Sequence, residues 1–121
     1  LQHEVLMSVN PENWSKNNYL LVFDMAIKHP KKYAEAWKKL MDKTKKYNSS
    51  GSAVLAANIA GGGPVTHVVA ISSNSYAELM DTMDKTFSSD SYKEFQTSVG
   101  DNRTVLNRSA YQRLGKWSQK D

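Results

Sequence analysis

Cysteine is the first of several absences that limit what this 121-residue chain can be. Without cysteine there are no disulfide bonds, thiolate metal sites or cysteine nucleophiles, so stability must come from packing. No stretch approaches the run of about 20 apolar residues that a membrane span needs, and we predict no membrane partner. The three histidines, His3, His29 and His67, lie far apart and lack metal-ligand spacing. We therefore expect no metal and no cofactor.

Glycine and proline are also scarce, with six glycines and three prolines in the chain. Three of those glycines, Gly61–Gly63, stand together with Pro64 between two β-branched apolar runs, residues 53–60 and 65–72. This pattern predicts a β-hairpin. A glycine-rich loop can bind phosphate when a helix follows it, but here a strand follows. We therefore interpret the glycines as a turn.

The apolar periodicity predicts strands and helices on both sides of this hairpin. One strand, Tyr19–Ile27, is apolar on both of its faces, so both faces need covering. The other predicted elements are a strand over 3–9, a helix from Pro30 to about Tyr47, a helix from Ser75, a short helix capped by Ser91 and ended by Gly100, and a strand over 103–114.

The order of these elements predicts an α+β fold. We expect a ferredoxin-like βαββαβ arrangement with a four-stranded antiparallel sheet, helices on one face and an extra N-terminal strand. Residues 1–18 form the edge strand and loop, 19–114 the ferredoxin-like domain, and 115–121 a tail. Apolar residues on the open face predict a homodimer through that face, because soluble monomers seldom expose such a patch.

The second helical segment is broken in the form Phe87-Ser-Ser-Asp-Ser-Tyr-Lys-Glu-Phe95. This segment and the element order resemble the dimeric α+β barrel superfamily, which includes antibiotic-biosynthesis-monooxygenase-like and NIPSNAP-like proteins. The resemblance covers about residues 19 to 114. It implies a homodimer whose two sheets enclose a pocket. Members range from cofactor-free oxygenases and isomerases to haem-degrading enzymes and proteins without assigned activity.

The candidate site is a group of polar residues expected in an apolar cavity between the sheet and the partner subunit. His67 and Asp24 are the candidate catalytic pair for proton transfer, although His67 could face either layer of the fold. The candidate ligand-binding residues are Asn58, Arg108, Val22 and Ala56. Arg108 and Asn58 would orient the ligand. The alternative is that the polar side chains satisfy one another across the dimer seam.

We expect a dimeric barrel protein of unassigned activity that binds a small apolar molecule. The alternative is a cofactor-independent monooxygenase or isomerase acting on a small hydrophobic or aromatic acid. Nucleic acid is not an expected partner, because the third strand of an RNA-recognition motif carries exposed aromatics and residues 65–71 have none. We expect a soluble chain, either cytoplasmic or exported after cleavage of an upstream segment.

Overall fold

The computed structural model describes residues 3–59 and 63–112, which form an antiparallel sheet covered on one face by helices. Short 3-10 turns connect some of the elements. The strands are β1 (His3–Val9), β2 (Tyr19–Ile27), β3 (Ser52–Asn58), β4 (His67–Ser73) and β5 (Arg103–Gln112). The helices are α1 (Pro30–Thr44), α2 (Tyr76–Phe87) and α3 (Asp90–Val99).

The five strands lie in the spatial order β1-β3-β4-β2-β5. Four of them, β5-β2-β4-β3, follow the order expected for a ferredoxin-like arrangement. The added strand β1 pairs with β3 at one edge, and β5 forms the other edge. The predicted tail, residues 115–121, and the turn residues Gly61 and Gly62 lie outside the described residues. Among the helices that are described, none is long and apolar enough to cross a membrane.

The helix starts follow from local hydrogen bonds. Pro30 occupies the first turn of α1, and the Oγ of Ser75 accepts from the backbone N–H of Glu78 at 3.1 Å to cap α2. The predicted cap of α3 at Ser91 is wrong. Ser89 caps this helix instead, because its backbone is extended and its Oγ accepts from the N–H of Tyr92 at 3.1 Å.

The hydrophobic core lies between the helices and one face of the sheet. We call this side the helix face, and the opposite side the open face. Met25 and Leu55 supply the helix face from the sheet, whereas Tyr33, Trp37 and Leu79 come from the helices. All five side chains are at most 2% exposed. Burying large apolar side chains is the main stabilising contribution available to a chain without disulfides.

The strand register shows on which face of the sheet each side chain lies, because the side chains of directly paired residues point to the same face. Met25 of β2 pairs with His67 of β4 and with Val105 of β5. A bulge follows at Leu106, where the register shifts between Asp24 and Met25. The extra residue changes the alternation along β5, so odd-numbered residues face the helices before the bulge and even-numbered residues face them after it.

Candidate ligand cavity

A cavity of about 740 Å³ lies between the helix face and the three helices, near the β2 and β5 edge. Its volume is within the usual range for small-molecule sites. Most of the lining is apolar and much of it is aromatic. The lining residues are Phe23, Met25, Tyr33, Trp37, Met41, Val69, Ile71, Met83, Thr86, Phe87, Tyr92, Phe95, Arg103, Val105, Leu106, Asn107 and Arg108.

The sequence pattern explains why these side chains converge. The odd-numbered residues of β2 face the helices, so Phe23 and Met25 form part of the floor. Tyr33, Trp37 and Met41 recur every four residues along α1 and therefore share one side of that helix. The mouth lies toward β5, where Val105 is 43% and Leu106 is 42% exposed.

A polar cluster of Arg103, Tyr33 and Tyr92 stands at the inner side of this cavity. The guanidinium of Arg103 is half-buried and its carbon lies 5.3 Å from the ring centroid of Phe95. Burial lowers the pKa of Arg103, but interactions with the hydroxyls of Tyr92 and Tyr33 outweigh this effect and raise it. Arg103 is therefore a stable cation beside two phenol groups.

Tyr33 is the most deeply buried polar side chain of the cluster, at 2% exposure. Burial raises its pKa to about 12, although the nearby Arg103 acts in the opposite direction. The hydroxyl is thus protonated at neutral pH and donates to Met25 Sδ at 3.5 Å. Because a thioether is a weak acceptor, this hydrogen bond satisfies the O–H donor of Tyr33 only weakly.

Asn102 holds the start of β5 against the start of α1. Its Oδ1 accepts from the backbone N–H of His29 at 2.6 Å, and its Nδ2 donates to the carbonyl of His29 at 3.0 Å. The side chain is buried, as expected for a polar group with both ends paired. Because Asn102 directly precedes Arg103, these hydrogen bonds fix the backbone from which the Arg103 side chain extends into the cavity.

The predicted catalytic pair lies on two different faces of the sheet. His67 pairs with Met25 and lies on the helix face, whereas Asp24 pairs with Val68 on the open face. The expected His67–Asp24 pair is therefore not formed within one chain. The Nδ1 of His67 lies 2.8 Å from the Oγ1 of Thr66, and burial lowers the pKa of His67. His67 is not among the residues that line the described cavity.

The four predicted ligand-binding residues are also divided between the faces. Val22, Ala56 and Asn58 lie on the open face, as predicted. Arg108 pairs with Phe23 and lines the cavity on the helix face, so the expectation that it shares a side with Asn58 does not hold. Asn58 Nδ2 donates to the carbonyl of Val65 at 3.1 Å, which helps to hold the end of the hairpin.

The open face has a smaller cavity of about 350 Å³ at the end where β2 begins. Trp14, Leu20 and Tyr111 contribute apolar surface there. Asn17 also lines it and is buried, but its Nδ2 is already paired with the Oγ of Ser72 at 2.8 Å. The other amide side chains of its lining, Asn18 and Gln112, are exposed, and the larger part of this cavity's surface is apolar.

Sequence reasoning missed Tyr33, Tyr92 and Arg103 as site residues. Tyr33 and Tyr92 belong to helix stripes, which are expected to fill the core and carry no separate signal for a cavity. Arg103 begins the predicted last strand. The one sequence signal for Arg103 was its position as a cation on a strand face whose neighbouring side chains are apolar.

Comparisons with known proteins add the fold but no family. No family model matches the chain, and no curated protein matches it. A similar solved structure is the crystal structure of a "putative monooxygenase" from Lactobacillus acidophilus NCFM, with a TM-score of 0.55 and 18% sequence identity. The match covers 84% of this chain and 46% of the Lactobacillus protein. The chain thus spans less than half of that protein, and the likeness supports a related α+β fold.

Proposed function

We propose that this protein binds a small apolar molecule in the cavity between the helices and the sheet. The observation that carries the proposal is a 740 Å³ space with an aromatic lining and only a few polar groups. Ligand sites usually combine this shape with this composition, because apolar walls supply affinity and a few polar groups supply orientation. The location differs from the predicted space between two sheets.

Binding can be tested with N-phenyl-1-naphthylamine, a neutral apolar dye whose fluorescence rises in apolar surroundings. Leu106→Trp enlarges an exposed side chain at the mouth of the cavity. We expect this variant to weaken dye binding about tenfold or more, a loss of about 1.4 kcal/mol. Ala110→Trp is the matched control, since Ala110 is an exposed residue of the helix face on the same strand but does not line the cavity.

The fluorescence titration has two outcomes that contradict binding in this cavity. One is a wild-type protein that does not bind the dye. The other is equal loss of affinity in Leu106→Trp and Ala110→Trp, which would locate the dye elsewhere. Circular dichroism and thermal unfolding of both variants establish that any loss of binding occurs in folded protein.

We also propose that two copies pair through the open face. Leu20, Val22, Val54 and Val68 are only partly buried there. Within the described part of the chain, the turn Pro11–Lys16 packs near one end of this face, while the helices lie on the other side. A stable homodimer commonly buries about 800 Å² or more per partner, which a five-stranded sheet can supply.

Sedimentation velocity tests the dimer directly. We expect a dimer at micromolar concentration and a monomer for Val22→Asp, because the substitution puts a charge at the centre of the open face. Ala77→Asp places the same charge on an exposed position of α2 and should leave the dimer intact. A wild-type monomer at tens of micromolar would rule the dimer out.

The second candidate function is cofactor-independent oxygenation or isomerisation of a small hydrophobic or aromatic acid. The description of the Lactobacillus protein favours the oxygenase, but the likeness extends to the fold alone. Such chemistry needs a general base within hydrogen-bond reach of the substrate. His67 and Asp24 do not supply a paired base in the described cavity, so binding is the better supported function. Oxygen uptake measured with a panel of aromatic acids is the direct test of the enzyme.

A further inference from the structure

The charged side chains among the described lining residues of the cavity are all positive. Arg103 and Arg108 both line the cavity, and no aspartate or glutamate is among its lining residues in the described part of the chain. Neither arginine forms an ion pair with a described carboxylate, whereas four lysines do so elsewhere on the surface. The cavity therefore holds two positive charges without a neutralising partner.

The bulge at Leu106 places both arginines on the same face of the sheet. Residues five positions apart in a regular strand point to opposite faces, because side chains alternate. Here Arg103 pairs with Ile27 and Arg108 pairs with Phe23, both on the helix face, since the bulge takes up the extra residue. Bulges often redirect side chains next to binding sites.

Partial burial makes a partner for Arg103 energetically important. A guanidinium has five N–H donors, and two phenol oxygens satisfy only part of that capacity. Removing such a cation from water without an anion costs free energy, which a bound anion would offset. The Tyr33 hydroxyl could also exchange its weak Met25 Sδ acceptor for the stronger acceptor that an anionic oxygen provides.

We propose that the ligand of this cavity is an aromatic anion, a flat apolar body carrying a carboxylate or phenolate that pairs with Arg103. The aromatic walls hold the body, Arg103 binds the ionised oxygen, and Tyr33 donates a hydrogen bond to it. Arg108, which is exposed at the mouth, attracts the anion during entry. This inference rests on the proposed function and adds the chemical class of the ligand.

Two matched probes separate charge from shape: naphthalene-2-carboxylate and its neutral amide, naphthalene-2-carboxamide. We expect wild-type protein to bind the carboxylate about ten- to a hundredfold more tightly in calorimetry at pH 7.5, as a hydrogen bond to a charged group predicts. Arg103→Met should remove this preference while still binding the amide. Arg103→Lys should restore part of the preference, because it returns the charge without the planar fork.

Arg108→Met is a second variant at an exposed position where folding is not at risk. We expect it to slow association with the carboxylate and to reduce the dependence of the association rate on salt. Association of the neutral amide should show no comparable dependence on salt, in wild type or in the variant. Replacing the carboxylate by 2-naphthol at pH 7.5 and at pH 10.5, across its ionisation, tests whether a phenolate serves as well as a carboxylate.

The outcomes distinguish this inference from the proposed function. If both probes bind equally to wild type, and Arg103→Met binds like wild type, the proposal of an anionic ligand is contradicted. The proposed binding of an apolar molecule is then unaffected. If neither probe binds wild type, the binding function fails and the inference fails with it. If Arg103→Met does not fold, the wild-type comparison of the two probes and the Arg108→Met kinetics still decide the matter.

Discussion

On the helix face of the sheet, Leu21, Met25 and Leu55 pack against three helices, whereas on the open face Leu20 and Val22 are only partly buried. The central strands carry apolar side chains on both faces, yet within residues 3–59 and 63–112 the helices cover only one of those faces. Covering one face creates both the core and the cavity. The open face, which none of the described helices covers, is the face through which we propose that two copies pair.

Adjacent leucines of β2 provide a matched comparison of the faces. Leu21→Ala leaves a void in the core and should lower the free energy of unfolding by about 3 kcal/mol. Leu20→Ala removes the same atoms from the open face and should cost less than about 1 kcal/mol in a monomer. Urea denaturation at low protein concentration measures both. Equal losses would mean that the two faces are equally covered.

A substitution of Asn102 tests whether the hydrogen bonds between the start of β5 and the start of α1 stabilise both the fold and the cavity. Asn102→Ala removes two hydrogen bonds to the backbone of His29 and should lower the free energy of unfolding by about 2 kcal/mol. It should also weaken binding of naphthalene-2-carboxylate, because the backbone that carries Arg103 is no longer held against the start of α1. Asn17→Ala is the counterpart on the open face, where it should destabilise the protein without changing that affinity.

Tyr33 makes stability depend on alkaline pH. Its folded pKa of about 12 exceeds the ordinary value of 10.0, so its contribution is complete below pH 10 and is lost as pH rises toward 12. Linkage gives a loss of about 1 kcal/mol by pH 11. Tyr33→Phe should remove this part of the loss, whereas exposed Tyr111→Phe should not. Denaturant titrations at pH 8 and pH 11 provide the measurement.

The smallest expected effect is a loss of stability at acidic pH that depends on His67. Burial depresses its pKa, so the unfolded chain binds a proton more readily than the folded one. Stability is complete above the unfolded pKa of about 6.5 and declines as pH falls through it toward the folded value. His67→Gln should flatten this decline between pH 7 and pH 5 in thermal unfolding. The exposed His3→Gln should retain it.

Much of the fold followed from patterns local in sequence. The bounds of β1 and β2 agree with the predicted strands, and Ser75 caps α2 as its capping box indicates. The cap of α3 was missed because Ser89 and Ser91 both stand near the helix start, and only the backbone conformation selects between them. A capping pattern therefore identifies the cap where one residue fits the pattern, and it fails where two neighbouring residues both fit it.

The candidate site was less accessible to such rules. Alternation correctly assigned Val22 and Asp24 to the open face, since β2 is regular. It could not assign Arg108 relative to Arg103, because the bulge at Leu106 changes parity within β5. Nor does a stripe such as Tyr33 and Trp37 reveal whether the opposing strand fills the space or leaves a cavity.

Sequence alone therefore determined the elements, their order and the two apolar faces of the strands, because periodicity, caps and turns act over a few neighbouring residues. Only the tertiary structure decided which face the helices cover, where β5 bulges and how Arg103 meets Tyr33. Those features depend on register between strands distant in the chain and on how well their side chains fill the space between layers. The positively charged cavity follows from that register.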